Sequence, residues 1–261
     1  MALRAVLFDK DGTLIDFDRT WYPVMARLAA EAAPDDPARA AELLQSGGLD
    51  PATGRFRAGS VIAAGTIDET VDLWHPGLSG DRRQAMIDHF NHTCATEGAA
   101  RAVAIPGLSG ALDALRDAGY PLGVATNDGH ASAVATLDRL GFLDRFSLVM
   151  GYDSVPDPKP APDQLHRFAG HVGLATAEVV MIGDNVHDLQ MARAGGAGLA
   201  VGVLSGTGSR QDLEGLADLI IDRVEQRRVS GEEHPDMLQV YMDARYEDGR
   251  ALSSDEIVQM L

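Results

Sequence analysis

Short, uniformly apolar runs recur along this chain with amphipathic segments between them, and that alternation constrains the fold more than any other feature. Arg4 to Phe8, Pro121 to Thr126, Leu148 to Met150, Val179 to Ile182, Leu199 to Val203 and Leu219 to Ile221 read as strands. Most are too short and too evenly apolar to be surface helices. Between them, Leu108, Ala111, Leu112 and Leu115 repeat at helical spacing before Gly119, and Val134, Leu137 and Leu140 before Gly141. Leu189, Ala192 and Arg193 do the same before Gly195-Gly196, each glycine supplying a helix stop. A β-α-β series of this kind predicts the α/β class, with a Rossmann-like parallel sheet covered by helices.

Residues 18–101 break the rhythm, having no strong strand run, and read as an inserted α-helical domain. Trp21, Val24, Met25, Leu28 and Ala29 make one apolar stripe, and Thr66-Ile67-Asp68-Glu69 has the pattern of a capping box. Asp81 reads as the cap of a helix carrying Met86, Ile87 and Phe90. The stretch Gly47 to Gly54 reads as turns leading into Arg55-Phe56-Arg57, and His75 to Gly80 as a connection between two helices. From Arg223 onward the chain is charged and irregular, with one late helix signal at Ser253-Ser254-Asp255-Glu256, read as a helix packing over the core.

Composition removes several classes of function. A net charge of −17 is wrong for a protein that grips a nucleic-acid backbone. No run approaches the ~18 apolar residues of a membrane span, and the N-terminus begins with a strand-like segment followed by acids, so a cytoplasmic protein is expected. Cys94 is the single cysteine; it has no partner for an internal disulfide, fits a reducing compartment and reads as a structural thiol.

Only two lysines occur, Lys10 and Lys159, among 22 basic residues, and both lie in polar motifs. In Asp9-Lys10-Asp11-Gly12-Thr13, strand alternation aims both carboxylates to one side and Lys10 away from them. Two acids in one small site repel unless a cation or a proton intervenes, and ligands that are all oxygen favour magnesium over zinc. A second acidic pair, Asp184 and Asp188, follows the strand Val179 to Ile182. In an open parallel sheet ligands collect beyond the carboxyl ends of the strands, so these loops can meet. Thr126-Asn127 closes a third strand with donors suited to phosphate oxygens, and Lys159, in Asp157-Pro158-Lys159-Pro160, presents a positive charge from a stiff loop.

These motifs, in this order, resemble those of the haloacid dehalogenase superfamily of phosphotransferases. Asp9 to Thr13 is similar to the family's first motif, Thr126 to its second, Lys159 to its third, and Gly183-Asp184 with Asp188 to its fourth. The resemblance implies a catalytic core at residues 1–17 and 102–222 and a helical cap at 18–101 like that of the phosphoglycolate phosphatase-like branch. It leaves 223–261 as a C-terminal extension to which nothing carries over. It further implies a magnesium-dependent phosphatase acting on a small phosphorylated metabolite through an aspartyl-phosphate. Asp9 would be the nucleophile and Asp11 the general acid and base. Mg2+ would lie on Asp9, Asp11 (through its backbone carbonyl) and Asp184, oriented by Asp188. Thr126, the Asn127 backbone and Lys159 would bind the phosphoryl group.

Asp11 argues against a dehalogenase, and the absence of lysine between Lys10 and Lys159 argues against a phosphonate hydrolase using a Schiff base. A sugar phosphomutase of the same superfamily and a non-catalytic phosphate-binding module remain alternatives. Substrate choice is expected to depend on the cap, where Arg55 and Arg57 are candidates for contacting an anionic group. His75, His89, His92 and His187 have no metal-ligand spacing and read as structural or exposed.

Overall fold

In a computed structural model, residues 2–221 are described. The C-terminal extension with its late helix signal lies outside the described residues.

The chain begins with β1 (Ala5–Phe8) and then enters a helical region, α1 (Phe17–Ala32) and α2 (Pro37–Ser46). There follow two short strands, β2 (Leu49–Asp50) and β3 (Arg55–Phe56), and three helices, α3 (Val61–Ala64), α4 (Ile67–Trp74) and α5 (Gly80–Thr93). A π-helical turn at Cys94–Gly98 joins α5 to α6 (Ala99–Arg101). The alternating part resumes with α7 (Leu108–Asp117), β4 (Leu122–Ala125), α8 (His130–Arg139), β5 (Leu148–Met150) and α9 (Asp163–Val172). It closes with β6 (Val179–Gly183), α10 (Val186–Gly195), β7 (Leu199–Val203), α11 (Arg210–Leu213) and β8 (Leu219–Ile221).

Six strands form one parallel sheet in the order β5-β4-β1-β6-β7-β8, as the apolar runs predict. Strands β1, β4 and β6 are buried on both faces because their residues alternate between two cores. Val6 and Phe8 of β1 pack with Leu112 and Leu115 of α7 and Leu137 of α8, whereas Ala5 and Leu7 pack with Leu165 and Phe168 of α9 and Leu189 of α10. From the central β1 the chain builds outward first through β4 and β5 and later on the other side through β6, β7 and β8. The reversal puts a crevice at the carboxyl end of β1.

The helices α1 to α6 have their own core, in which Trp21, Val24, Leu28, Val71, Trp74, Ile87 and Phe90 meet. Thr66 and Glu69 form the expected capping box at α4, the Thr66 N–H donating to Glu69 Oε2 at 2.7 Å. Two expectations need correction. The turn-rich stretch at 47–57 is a small antiparallel hairpin, with Leu49 opposite Phe56 and Asp50 opposite Arg55; strands of two residues are too short to show a period. Asp81 is not the cap of α5: Ser79 occupies that position, and Asp81 lies in the first turn, where its charge complements the helix dipole.

Candidate functional site

Backbone pairing continues one residue past β1, the Asp9 N–H donating to the Ile182 carbonyl at 2.8 Å. The chain then turns, with Leu14 N and Ile15 N both donating to the Lys10 carbonyl and Gly12 at φ +89°. A Cβ on Gly12 would lie 2.6 Å from the Asp184 carboxylate, so glycine is what lets this turn approach the end of β6. Asp184 follows β6, and Asp188 sits in the first turn of α10 beneath an Asn185 cap.

Loops distant in sequence thus bring Asp9, Asp184 and Asp188 together: one carboxylate oxygen from each lies within 4.8 Å of the others, and all three side chains are buried. Between two of them is the ammonium of Lys159, buried, which donates to Asp9 Oδ1 and Asp188 Oδ1 at 2.6 Å each and to the Ala125 carbonyl at 3.0 Å. Those bonds use its three protons. Burial alone would lower the proton affinity of Lys159, but Asp188 and Asp9 outweigh it and hold the group firmly charged.

One lysine does not neutralise three carboxylates. Burial, with Asp188 and Asp11 nearby, pushes Asp9 up to about 7 despite Lys159. Burial and the charges of Asp9 and Asp188 push Asp184 well above the usual carboxylate range. Oxygen atoms are also left over. Asp9 Oδ2 is buried with no hydrogen-bond partner. Asp184 Oδ2 accepts from Thr207 N at 2.8 Å, but its Oδ1 has only a 3.5 Å contact from the Thr13 hydroxyl. Both Asp188 oxygens are committed, one to Lys159 and the other to Asn185 N at 2.9 Å. The donor set is therefore oxygen-rich, excessively negative and open at Asp9 and Asp184, which fits a hard divalent cation.

Asp11 faces a different set of partners. Its carboxylate meets the Lys10 ammonium at 2.8 Å, receives the Trp21 indole N–H and accepts from the Thr126 hydroxyl at 3.3 Å. Lys10 corrects the expectation from strand alternation. Because β1 ends at Phe8 and the chain curls, its ammonium does not point away from both acids; it is fully buried between Asp11 and Asp128, 5.0 Å from the Trp21 ring centroid.

Thr126 follows β4, its carbonyl accepting from the buried Gln164 Nε2 at 3.1 Å. The Asn127 side chain reaches across to α3, donating to the Ala64 carbonyl at 2.8 Å and to the Lys159 carbonyl at 3.0 Å. His187 Nδ1 meets the same Ala64 carbonyl at 3.1 Å. Thr126, Asn127 and His187 line one cavity of about 60 Å3 with the acids, roofed by α1 and the segment from Val61 to Ile67.

Arg55 and Arg57 are not among the residues lining it, which corrects their expected role. The β2–β3 hairpin carries them outward, where Arg55 pairs with Asp18 at 2.8 Å and Arg57 reaches the Gln45 carbonyl at 3.5 Å. Cys94 lines the cavity, buried, and its surroundings push the thiol upward, first through burial and then through Asp128. The loop Ser205-Gly206-Thr207 escaped sequence reasoning. Its signal was a polar glycine turn after β7, and its approach is so close that a Cβ on Gly206 would lie 2.0 Å from Asp184 Oδ2. His187, read as structural or exposed, lines the cavity.

Comparison with known proteins gives the site its context. A phosphoglycolate phosphatase from Neisseria meningitidis is 32% identical over 219 residues, covering 79% of this chain and 82% of that protein. One from Rhodospirillum rubrum is 31% identical over 221 residues, covering 84% and 86%. Among solved structures, CbbY from Rhodobacter sphaeroides, determined with phosphate, superposes with a TM-score of 0.62 at 20% identity, over 84% of this chain and 93% of that one. A hydrolase from Pseudomonas syringae does so with 0.60 at 20% identity, over 88% and 97%. These two share the fold. The family model of haloacid dehalogenase-like hydrolases matches residues 3–196, and the chain belongs to that family.

Proposed function

We propose that this hydrolase is a magnesium-dependent phosphatase that cleaves a small phosphomonoester through an aspartyl-phosphate on Asp9. The observation that carries the reading is the position of Asp9: buried just past β1 within 4.8 Å of Asp184 and Asp188, one oxygen held by Lys159 and the other without a hydrogen-bond partner. An oxygen with a free lone pair, fixed by its twin, is what an in-line displacement at phosphorus requires. The phosphoglycolate phosphatase relatives support a small phosphorylated metabolite as substrate.

In this reading Asp9 attacks phosphorus and the ester oxygen leaves with a proton from Asp11. Asp11 then takes a proton from the water that attacks the aspartyl-phosphate, so inorganic phosphate departs and Asp9 is restored. Trp21 and Lys10 hold Asp11 in place during both steps. Lys159, with Thr126 and the Asn127 backbone, stabilises charge on the transferring phosphoryl group. Asp9, Asp184 and the backbone carbonyl of Asp11 would hold Mg2+, with Asp188 fixing Lys159 and the start of α10. Bound there, the ion offsets the carboxylates and draws charge from the phosphoryl oxygens.

We assign residues 1–17 and 102–222 as the catalytic core and 18–101 as the cap, a division that the separate core of the helical region supports. No helix among the described residues is long and apolar enough to cross a membrane, and the lone cysteine supports a cytoplasmic setting. Phosphate release from p-nitrophenyl phosphate with Mg2+ tests the reading. Asp9→Asn is expected to lower the rate by on the order of 10^3-fold or more, and unchanged turnover would remove Asp9 from the chemistry.

A further inference from the structure

We propose that the pocket takes a phosphomonoester whose organic group is uncharged and mostly apolar, and that it disfavours a carboxylate-bearing ester such as phosphoglycolate; the inference rests on the phosphatase reading above. The roof of the cavity is built from Phe17, Trp21, Met25, Val61, Ile62 and Ile67. No lysine or arginine from residues 17–101 lines it.

The few polar groups in the roof are already engaged. The indole N–H of Trp21 goes to Asp11, the Thr70 hydroxyl donates to the Thr66 carbonyl at 3.2 Å, and the Thr66 hydroxyl lies 3.3 Å from Glu69 Oε2. Glu69 matters for a second reason. Its carboxylate caps the start of α4, which borders the cavity, and so places negative charge where a ligand carboxylate would otherwise find helix N–H groups.

Cations that could have served are held elsewhere. Arg55 pairs with Asp18, and Arg83 with Asp72 and Asp68 at 2.6 and 3.3 Å. On the floor, Lys159 spends its protons on Asp9, Asp188 and Ala125, and Lys10 is held between Asp11 and Asp128. Among the lining residues from 17–101 a substrate carboxylate would meet no cationic partner, and burying it against the apolar roof is costly. An alkyl group would instead bury its surface against the roof, gaining about fourfold in affinity per methylene.

The test is the initial-rate comparison of ethyl phosphate, n-propyl phosphate and 2-phosphoglycolate with the full chain and Mg2+. Expected is a kcat/KM for n-propyl phosphate at least about tenfold above that for phosphoglycolate, rising about fourfold from ethyl to propyl. A preference for phosphoglycolate overturns the inference and leaves the phosphatase reading intact. Turnover of none of these esters, nor of p-nitrophenyl phosphate, overturns both.

Thr70→Arg, which adds a cation to the roof, is expected to shift the ratio at least about tenfold toward phosphoglycolate; a folded variant with an unmoved ratio counts against the inference. Inhibition of p-nitrophenyl phosphate turnover gives an independent reading on the unaltered chain. n-Butylphosphonate is expected to inhibit at least about tenfold more tightly than 3-phosphonopropionate, and the opposite order overturns the inference.

Discussion

Lys159 joins Asp9, Asp188 and the Ala125 carbonyl at a single ammonium. Removing its side chain leaves Asp9 and Asp188 buried and without their cation, so Lys159→Met is expected to cost about 3–5 kcal/mol in urea denaturation without divalent ions. Part of that loss should return with Mg2+, because a cation on Asp9 relieves the same repulsion. Lys159→Arg is not expected to rescue activity, since a planar guanidinium does not fit three tight acceptors arranged around a point charge. Cys94 gives a contrasting case. Its thiol is buried and held protonated, so in the native protein at pH 8 iodoacetamide should alkylate it at least about tenfold more slowly than it does glutathione; rapid alkylation would place the thiol in solvent. At this scale the sequence was informative wherever a residue type was rare. Lysine at 159 stood out against arginine, whereas Lys10 misled, because alternation along a strand says nothing once the chain turns at Asp9.

Elements were legible in proportion to how uniformly they are buried. Strands β1 and β6 read clearly because both faces meet apolar helices, and the Thr66 to Glu69 box announced α4 in its own residues. The β2–β3 hairpin did not, since two residues a side carry no period and its stability comes from α2 and Phe17 packing on Phe56. Nor could the strand reading of Gly123 reveal what faces it. A Cβ there would lie 2.5 Å from the Phe168 ring and 3.1 Å from Leu7. Gly123→Ala is therefore expected to cost about 1–3 kcal/mol by overpacking β4 against α9, and an unchanged urea midpoint would mean that α9 gives way freely. Thr66→Ala should cost about 1 kcal/mol, and because that residue also lines the cavity, its effect on KM should exceed that of a cap residue on the outer face.

For the molecule as a whole, the convergence of loops at one end of the sheet followed from the β-α-β order, since parallel strands deliver all their carboxyl ends to one edge. What roofs that edge did not follow. The choice between Arg55 and the Val61 to Ile67 segment depends on how the inserted helices lean over the sheet. That is decided by contacts such as Asn127 and His187 on the Ala64 carbonyl, which no local pattern announces. Because the acid cluster belongs to the folded chain alone, the proposed metal would stabilise the whole. At Mg2+ about one hundred times its Kd, the gain is about 2.7 kcal/mol, a rise of about 5–10 °C in Tm, and Asp184→Asn should abolish most of it.

The most direct measurement is acid quench during turnover of p-nitrophenyl phosphate, followed by mapping of the phosphorylated peptide. One phosphoryl group on the peptide carrying Asp9, absent from Asp9→Asn, is the expected result. Full turnover with that peptide unmodified, or with the phosphoryl group on another residue, would contradict the assignment of Asp9 as nucleophile.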